Sequence, residues 1–158
     1  MRVGIGYDIH RIREDRPLVL GGVTIPSPFG LEGHSDADVV LHALMDALLG
    51  AAALGDIGHH FPPGDARFRG ISSLTLLARV HELIADAGYR LVNADMVLVA
   101  ERPRIAPYVN KMRERIARVL DIGIDGIGIK ATTNEGVGAE GRGEAISAHA
   151  VALLGPRP

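Results

Sequence analysis

Asp8 and His10 stand two residues apart in the opening run MRVGIGYDIH. On an extended strand, residues i and i+2 point to the same face, so this carboxylate and imidazole share a side with Gly4 and Gly6. Taken alone, such a pair reads more simply as a surface ion pair. A third group comes from DADVVLHALMDALLGAAAL, 36–54, where nearly every position is Leu, Val, Ala or Met. A helix of that composition is buried most of the way round. Its polar residues Asp38, His42 and Asp46 fall at i, i+4 and i+8, on one stripe. A buried polar group without a partner costs about 1–3 kcal/mol, so the stripe either closes on itself as a core network or serves a ligand. An Asp and a His from one strand face, with a His from a buried helix, make a three-ligand zinc site. Three protein ligands leave the fourth tetrahedral position open, the pattern of a catalytic zinc. Asp46 or Asp38 would then orient His42 from behind.

A second group of residues is suited to phosphate. KATTNEGVGAEGRGE, 130–144, offers Lys130, Thr132, Thr133 and Arg142 as donors, among glycines that permit close backbone approach. Glu135 is out of place among anion binders unless it holds a divalent cation such as Mg²⁺, which pairs carboxylates with substrate phosphates. The alternative is a hairpin loop with a solvated Glu. In EGHSDADVV, 32–40, His34 and Ser35 precede a helix N-terminus, where an anion is favoured. Capping explains Ser35; it does not explain His34.

These groups need elements to place them. The 158 residues suit one domain, 1–158, with 47% hydrophobic and 23% charged residues. Aromatics are 4%, so the core is aliphatic. The net charge of -2, without a basic run, argues against nucleic acid. Without cysteine there are no disulfides, and a zinc site must use His and carboxylate ligands. No stretch approaches the roughly 20 apolar residues of a membrane span, and the N-terminus does not resemble a signal peptide, so a cytoplasmic location is the default.

Val3, Ile5, Tyr7 and Ile9 alternate with the glycine face, which predicts a strand with one buried face. PLVLGGVTIP, 17–26, reads as a hairpin. A helix is predicted over 36–54 with Ser35 as N-cap, and another over 73–87 between Ser72 and Gly88. Strand 89–101 should bury Val92, Ala94, Met96 and Leu98. A helix over 105–120, strand 127–133, a Gly-rich loop and strand 144–154 complete the chain. The fold class is α+β, a mixed four-stranded-type sheet with helices packed on one face and a small N-terminal hairpin.

GYDIH at 6–10, HSDADVVLHALMDALLGAAALGDIGHHFP at 34–62 and KATTNEGVGAEGRGE at 130–144 closely resemble the 2-C-methyl-D-erythritol 2,4-cyclodiphosphate synthase family, and the resemblance covers the whole chain. It implies Zn²⁺ on Asp8, His10 and His42, and a second ion, Mg²⁺ or Mn²⁺, on Glu135. It implies that His34 and Ser35 contact substrate near the zinc, with His34 and Thr133 assisting the transition state and Thr132 beside Thr133. Asp56, Ile57 and Gly58 would bind substrate hydroxyls, and the loop through Phe61 and Asp65 would border the methylerythritol end. Ala100 to Ala106, including Pro103 and Ile105, would form the cytosine pocket. The family is a homotrimer with sites at subunit junctions. The commoner pattern TTEKLGFTGR is replaced here by TTNEGVGAEGR, so the resemblance carries no ligand role over to Gly136 and Ala139; Asn134 still offers hydrogen bonds. Arg142 would add charge near the substrate or line the trimer axis. His59 and His60 read as loop residues.

The implied reaction is intramolecular: a substrate phosphate attacks the diphosphate and CMP leaves. It needs positioning and charge neutralisation rather than a protein nucleophile. Two other classes use the same residues: a zinc-dependent phosphoester hydrolase, and a non-catalytic trimer holding an isoprenoid phosphate in a channel lined by Ile146 to Leu154.

Overall fold

The computed structural model describes residues 1–157. Strand β1 (Arg2–Arg13) is followed by a hairpin of β2 (Leu18–Leu20) and β3 (Val23–Ile25), then the two-residue β4 (Gly30–Leu31). Helix α1 (Val39–Ala52), the short α2 (Ile57–His60) and α3 (Ser73–Asp86) come next. Then come β5 (Tyr89–Val99), α4 (Val109–Val119), β6 (Ile127–Thr132), the single-turn α5 (Gly138–Gly141) and β7 (Ala145–Pro156). The sheet has five strands in the order β4-β1-β7-β5-β6, and the hairpin is a separate two-stranded sheet. The fifth strand, β4, pairs only Leu31 and Gly30 with Ile12 and Arg13. Two residues carry no detectable period, so a four-stranded sheet is what alternation alone predicts. Only the β5–β6 pair is parallel, joined through α4.

Helix α1 lies across β1 and β7. Val39 to Met45 and Ala47 to Leu49 are all buried, as the composition requires. The helix starts three residues later than expected, and its cap is Asp38, not Ser35. Asp38 accepts from Leu41 N at 3.1 Å and also from the backbone of Gly21 and Gly22 at 2.9 and 2.6 Å, tying the hairpin to the helix. A cap that serves two elements is a tertiary choice, invisible to local pattern. Burial pushes its carboxyl up to about 6, against the pull of these three N–H groups. The folded state therefore holds this proton more tightly than the unfolded chain. Its contribution to stability is complete below the ordinary value of 3.8 and is lost as pH rises through about 6. Comparing urea midpoints of the parent and Asp38→Asn from pH 4 to 7 isolates this group. The parent's advantage should shrink across that window.

The glycine face of β1 meets α1, where Gly4 and Gly6 lie against Ala43, Ala47 and Ala51. The opposite face does not lie in a core: Val3, Ile5, Tyr7 and Ile9 are 69%, 74%, 49% and 41% exposed, and Val151 of β7 is exposed beside them. A two-residue period says that the two faces differ, not which one the chain itself covers. On β5, an irregularity between Leu91 and Asn93 shifts the register. Leu91 is therefore buried and Val92 only half-buried, while Ala94, Met96 and Leu98 face the core as predicted. The segment predicted as one helix over 105–120 is a 3-10 turn, Ala106–Tyr108, holding Pro107, followed by α4. No helix among the described residues is long and apolar enough to cross a membrane.

Candidate metal centre and ligand clefts

Asp8, His10 and His42 converge. Asp8 Oδ2 lies 2.8 Å from His10 Nε2 and 2.9 Å from His42 Nδ1, and the two ring nitrogens are 3.1 Å apart. β1 supplies two of the groups on the face that bears Gly4 and Gly6. α1 supplies the third from its first turns. The donor roles follow from the partners. His10 Nδ1 sits 2.5 Å from the carbonyl of Glu32, which can only accept, so Nδ1 carries a proton and Nε2 is the nitrogen left for an ion. Burial alone would raise the carboxyl of Asp8. Hydrogen bonds and charge from His10 and His42 outweigh it and hold Asp8 well below the usual carboxylate range. Burial likewise works against a charged His10, but the Asp8 contact and the Glu32 carbonyl raise it on balance. A carboxylate and two imidazoles aimed at one point form a ligand set that a divalent cation fits, and these are the atoms that can gather round one ion.

Behind His42, the orienting groups are not Asp38 or Asp46. Asp38 caps α1. Asp46 accepts from Ile57 N at 2.8 Å and holds the start of α2; its carboxyl is raised by burial. His42 Nε2 instead meets Ser35 Oγ at 3.1 Å and Ser73 Oγ at 3.2 Å. Ser73 carried no signal of its own in the sequence beyond its place at a helix start.

A cleft of about 200 Å³ opens beside the centre. His34, Ser35, Ile57, Gly58, Phe61 and Asp65 line it with His10 and His42, so the predicted substrate residues of 34–65 do assemble. Phe68 and Leu76, not predicted, add apolar walls. Asp56 caps α2, accepting from His59 N at 2.9 Å, next to the lining residues Ile57 and Gly58. Asp65 is paired with Arg67. His60 Nε2 is bonded to the Leu54 carbonyl, in keeping with a loop role.

The segment bearing His34 is gripped by its carbonyls. Arg16 donates to the Gly33 and Ser35 carbonyls, the latter at 2.7 Å, and Gly70 N donates to that of His34 at 2.7 Å. Arg16→Ala should therefore speed hydrogen exchange of the Gly70 amide about tenfold or more, since hydrogen bonds from a charged group contribute about 1.5–3 kcal/mol each. Unchanged protection at Gly70 would show that the carbonyls hold without Arg16.

A second cleft, about 340 Å³, is bordered by Ala100, Pro103, Ile105, Ala106, Thr132 and Thr133, the predicted nucleoside pocket, together with Glu101 and Arg104. Glu101, which the sequence did not single out, accepts from Asn134 N at 2.8 Å and ties the Gly-rich loop to this cleft. Glu135 is exposed, with a left-handed φ of 50°. The two clefts share no lining residue. Glu135 is not among the ligand groups that gather with Asp8, which are His10 and His42. Lys130 pairs at the surface with Asp95, and Arg142 with Glu144 at 2.9 Å.

Known proteins resemble the chain throughout. The YgbB family model matches residues 1–155. Curated 2-C-methyl-D-erythritol 2,4-cyclodiphosphate synthases from Symbiobacterium thermophilum and a Synechocystis strain are 63% and 62% identical, over 99% and 98% of this chain and 100% and 96% of theirs. A solved 2C-methyl-D-erythritol-2,4-cyclodiphosphate synthase in a CDP-bound form superposes with a TM-score of 0.89 at 42% identity, covering 98% of this chain and 100% of that one. The bifunctional IspDF from Campylobacter jejuni gives 0.93 at 39% identity, covering 97% of this chain and 42% of the larger one. The full-length match and these identities, with the Asp8, His10 and His42 cluster in place, establish that this chain belongs to the YgbB family.

Proposed function

We propose that this chain, a single 1–158 domain, converts 4-diphosphocytidyl-2-C-methyl-D-erythritol 2-phosphate to 2-C-methyl-D-erythritol 2,4-cyclodiphosphate and CMP, in the non-mevalonate route to isoprenoid precursors. The observation that carries the reading is the convergence of the Asp8, His10 and His42 ligand atoms at the wall of a cleft that also holds His34 and Ser35. The names of the relatives supply the product, and one solved relative is in a CDP-bound form. Asp8, His10 and His42 would hold Zn²⁺, and Glu135 a Mg²⁺ or Mn²⁺. Bound there, such ions supply positive charge and Lewis acidity to phosphate oxygens.

The remaining work belongs to the side chains. The substrate's 2-phosphate is its own nucleophile, so no protein nucleophile is needed. Ser35 Oγ already accepts from Ala37 N at 3.2 Å, which leaves its hydroxyl hydrogen for a phosphate oxygen. His34 donates from the same turn to the charge that grows in the transition state. The Asp56–Gly58 turn binds the erythritol hydroxyls, while Phe61 and Phe68 exclude water from that end. Thr132 and Thr133 hold the diphosphate, and Ala100 to Ala106 the cytosine. The two clefts have separate linings in one chain, and a neighbouring subunit would bring them together on one substrate. The exposed apolar face of Val3, Ile5, Tyr7, Ile9 and Val151 favours the same arrangement. We therefore read the protein as a homotrimer of the cytoplasm, with sites at subunit junctions, and its mass in solution should be three times the 16.7 kDa chain.

Phosphorus NMR of the purified protein with this substrate and Mg²⁺ tests the reading. Cyclic diphosphate with CMP is the expected product. Free phosphate would indicate a hydrolase instead, and no turnover a binding protein.

A further inference from the structure

The hydrogen bonds behind His42 run one way. Asp36 takes the backbone N–H of Ser73 on Oδ2 at 2.9 Å and the Ser73 hydroxyl on Oδ1 at 2.5 Å. A carboxylate only accepts, so the Ser73 proton points to Asp36. Ser73 Oγ must then present lone pairs to His42 Nε2, 3.2 Å away. Nε2 therefore carries a proton, and Nδ1 is the nitrogen left for an ion held with Asp8 Oδ2 and His10 Nε2. Ser73 is fully buried and His42 8% exposed, so water does not compete for these bonds. The positions are fixed from outside the centre: Ser73 is the first residue of α3, and Asp36 N is itself bonded to the Ile71 carbonyl at 3.1 Å.

We propose that Asp36 and Ser73 are positioning residues for the metal centre, a relay from α3 that selects the Nδ1 lone pair of His42 and aims it at the ion. The proposal rests on the reading of Asp8, His10 and His42 as metal ligands. Ser73 and Asp36 need never touch substrate; they act through the ring. A partner that fixes the tautomer and orientation of a metal-bound His contributes about 10–100-fold in metal affinity. Ser35 also meets His42 Nε2, but it already takes the Ala37 amide at 3.2 Å and faces the cleft. It offers Nε2 an acceptor without forcing the direction of the bond.

Two measurements test this. The first is a Zn²⁺ titration against a competing chelator, on the parent, Ser73→Ala and Asp36→Asn. Both variants should bind Zn²⁺ about 10–100-fold more weakly than the parent. Affinity in Ser73→Ala within twofold of the parent overturns the relay. A parent that takes no Zn²⁺ overturns the metal reading itself, a distinct outcome. The second is long-range proton–nitrogen NMR of the imidazoles in the Zn²⁺-loaded parent at pH 8. The expected spectrum has the His42 proton on Nε2. A proton on Nδ1 overturns the relay without any variant having to fold.

Discussion

His42→Ala should abolish cyclodiphosphate formation and leave the purified protein without the divalent ion of this centre. The imidazole is the group on which the cluster closes: its Nδ1 meets Asp8 and His10, and its Nε2 meets Ser35 and Ser73. Removal leaves one carboxylate and one imidazole, too few to hold a catalytic zinc. Metal charge at a phosphoryl centre contributes several kcal/mol to the transition state, so turnover should fall by about 10³-fold or more. The fold should survive. Ser73 keeps Asp36 as its partner and Ser35 keeps Ala37 N, so no buried hydroxyl is orphaned. Asp8 loses one of its two imidazole partners, so its carboxyl should rise towards its ordinary value. Metal analysis and the phosphorus NMR assay check the first claim; a thermal melt in excess chelator checks the second. Turnover and zinc content equal to the parent would remove His42 from the centre.

What the sequence revealed of this site, and what it hid, divides along a physical line. Asp8 and His10 could be placed on one face because strand geometry fixes side-chain direction locally. His42 could be placed in a buried helix because composition reports burial. The partners of His42 could not be found the same way. Ser73 lies 31 residues further on, and it reaches the ring only because α3 packs beside α1. Asp38 looked available as an orienter, but Gly21 and Gly22 claim it from a hairpin whose position no local pattern predicts. Alternation in β1 correctly separated two faces and assigned burial to the wrong one. Val3 and Ile5 look like core residues because they are built to be covered, and within one chain nothing covers them. The two clefts pose the same difficulty. Their residues were identified from resemblance, yet in a single chain Thr133 lines a different cleft from His10 and His42, and Glu135 is not in the Asp8 cluster.

Gly6→Ala should both destabilise the fold and weaken the metal centre. A Cβ at Gly6 would overlap the Ala43 carbonyl oxygen and lie 2.8 Å from Ala47 N; at Gly4 it would strike the Ala47 carbonyl and lie 2.5 Å from Ala51 N. The obstacle is helix backbone, which cannot swing aside as a side chain can. Ala43, Ala47 and Ala51 repeat every four residues along α1, so small residues on both elements let the helix lie against the strand. That contact also sets the site, since His42 adjoins Ala43 and Asp8 follows Gly6 on the same strand face. Overpacking of a core commonly costs about 1–3 kcal/mol, and rigid backbone on both sides puts this case at about 3 kcal/mol or more. Gly50→Ala is the matched control. Its Cβ would find its nearest neighbour, the Ile5 carbonyl, at 4.0 Å, an ordinary contact. Replacing a helical Gly should therefore stabilise by about 0.5–1 kcal/mol. Urea unfolding of both variants should move in opposite directions. Of the two, only Gly6→Ala should also lose Zn²⁺ affinity, because pushing α1 outward draws His42 away from Asp8 and His10. If Gly6→Ala unfolds at the parent's urea concentration and binds Zn²⁺ as tightly, the close approach of α1 to β1 is not what holds the three ligands together.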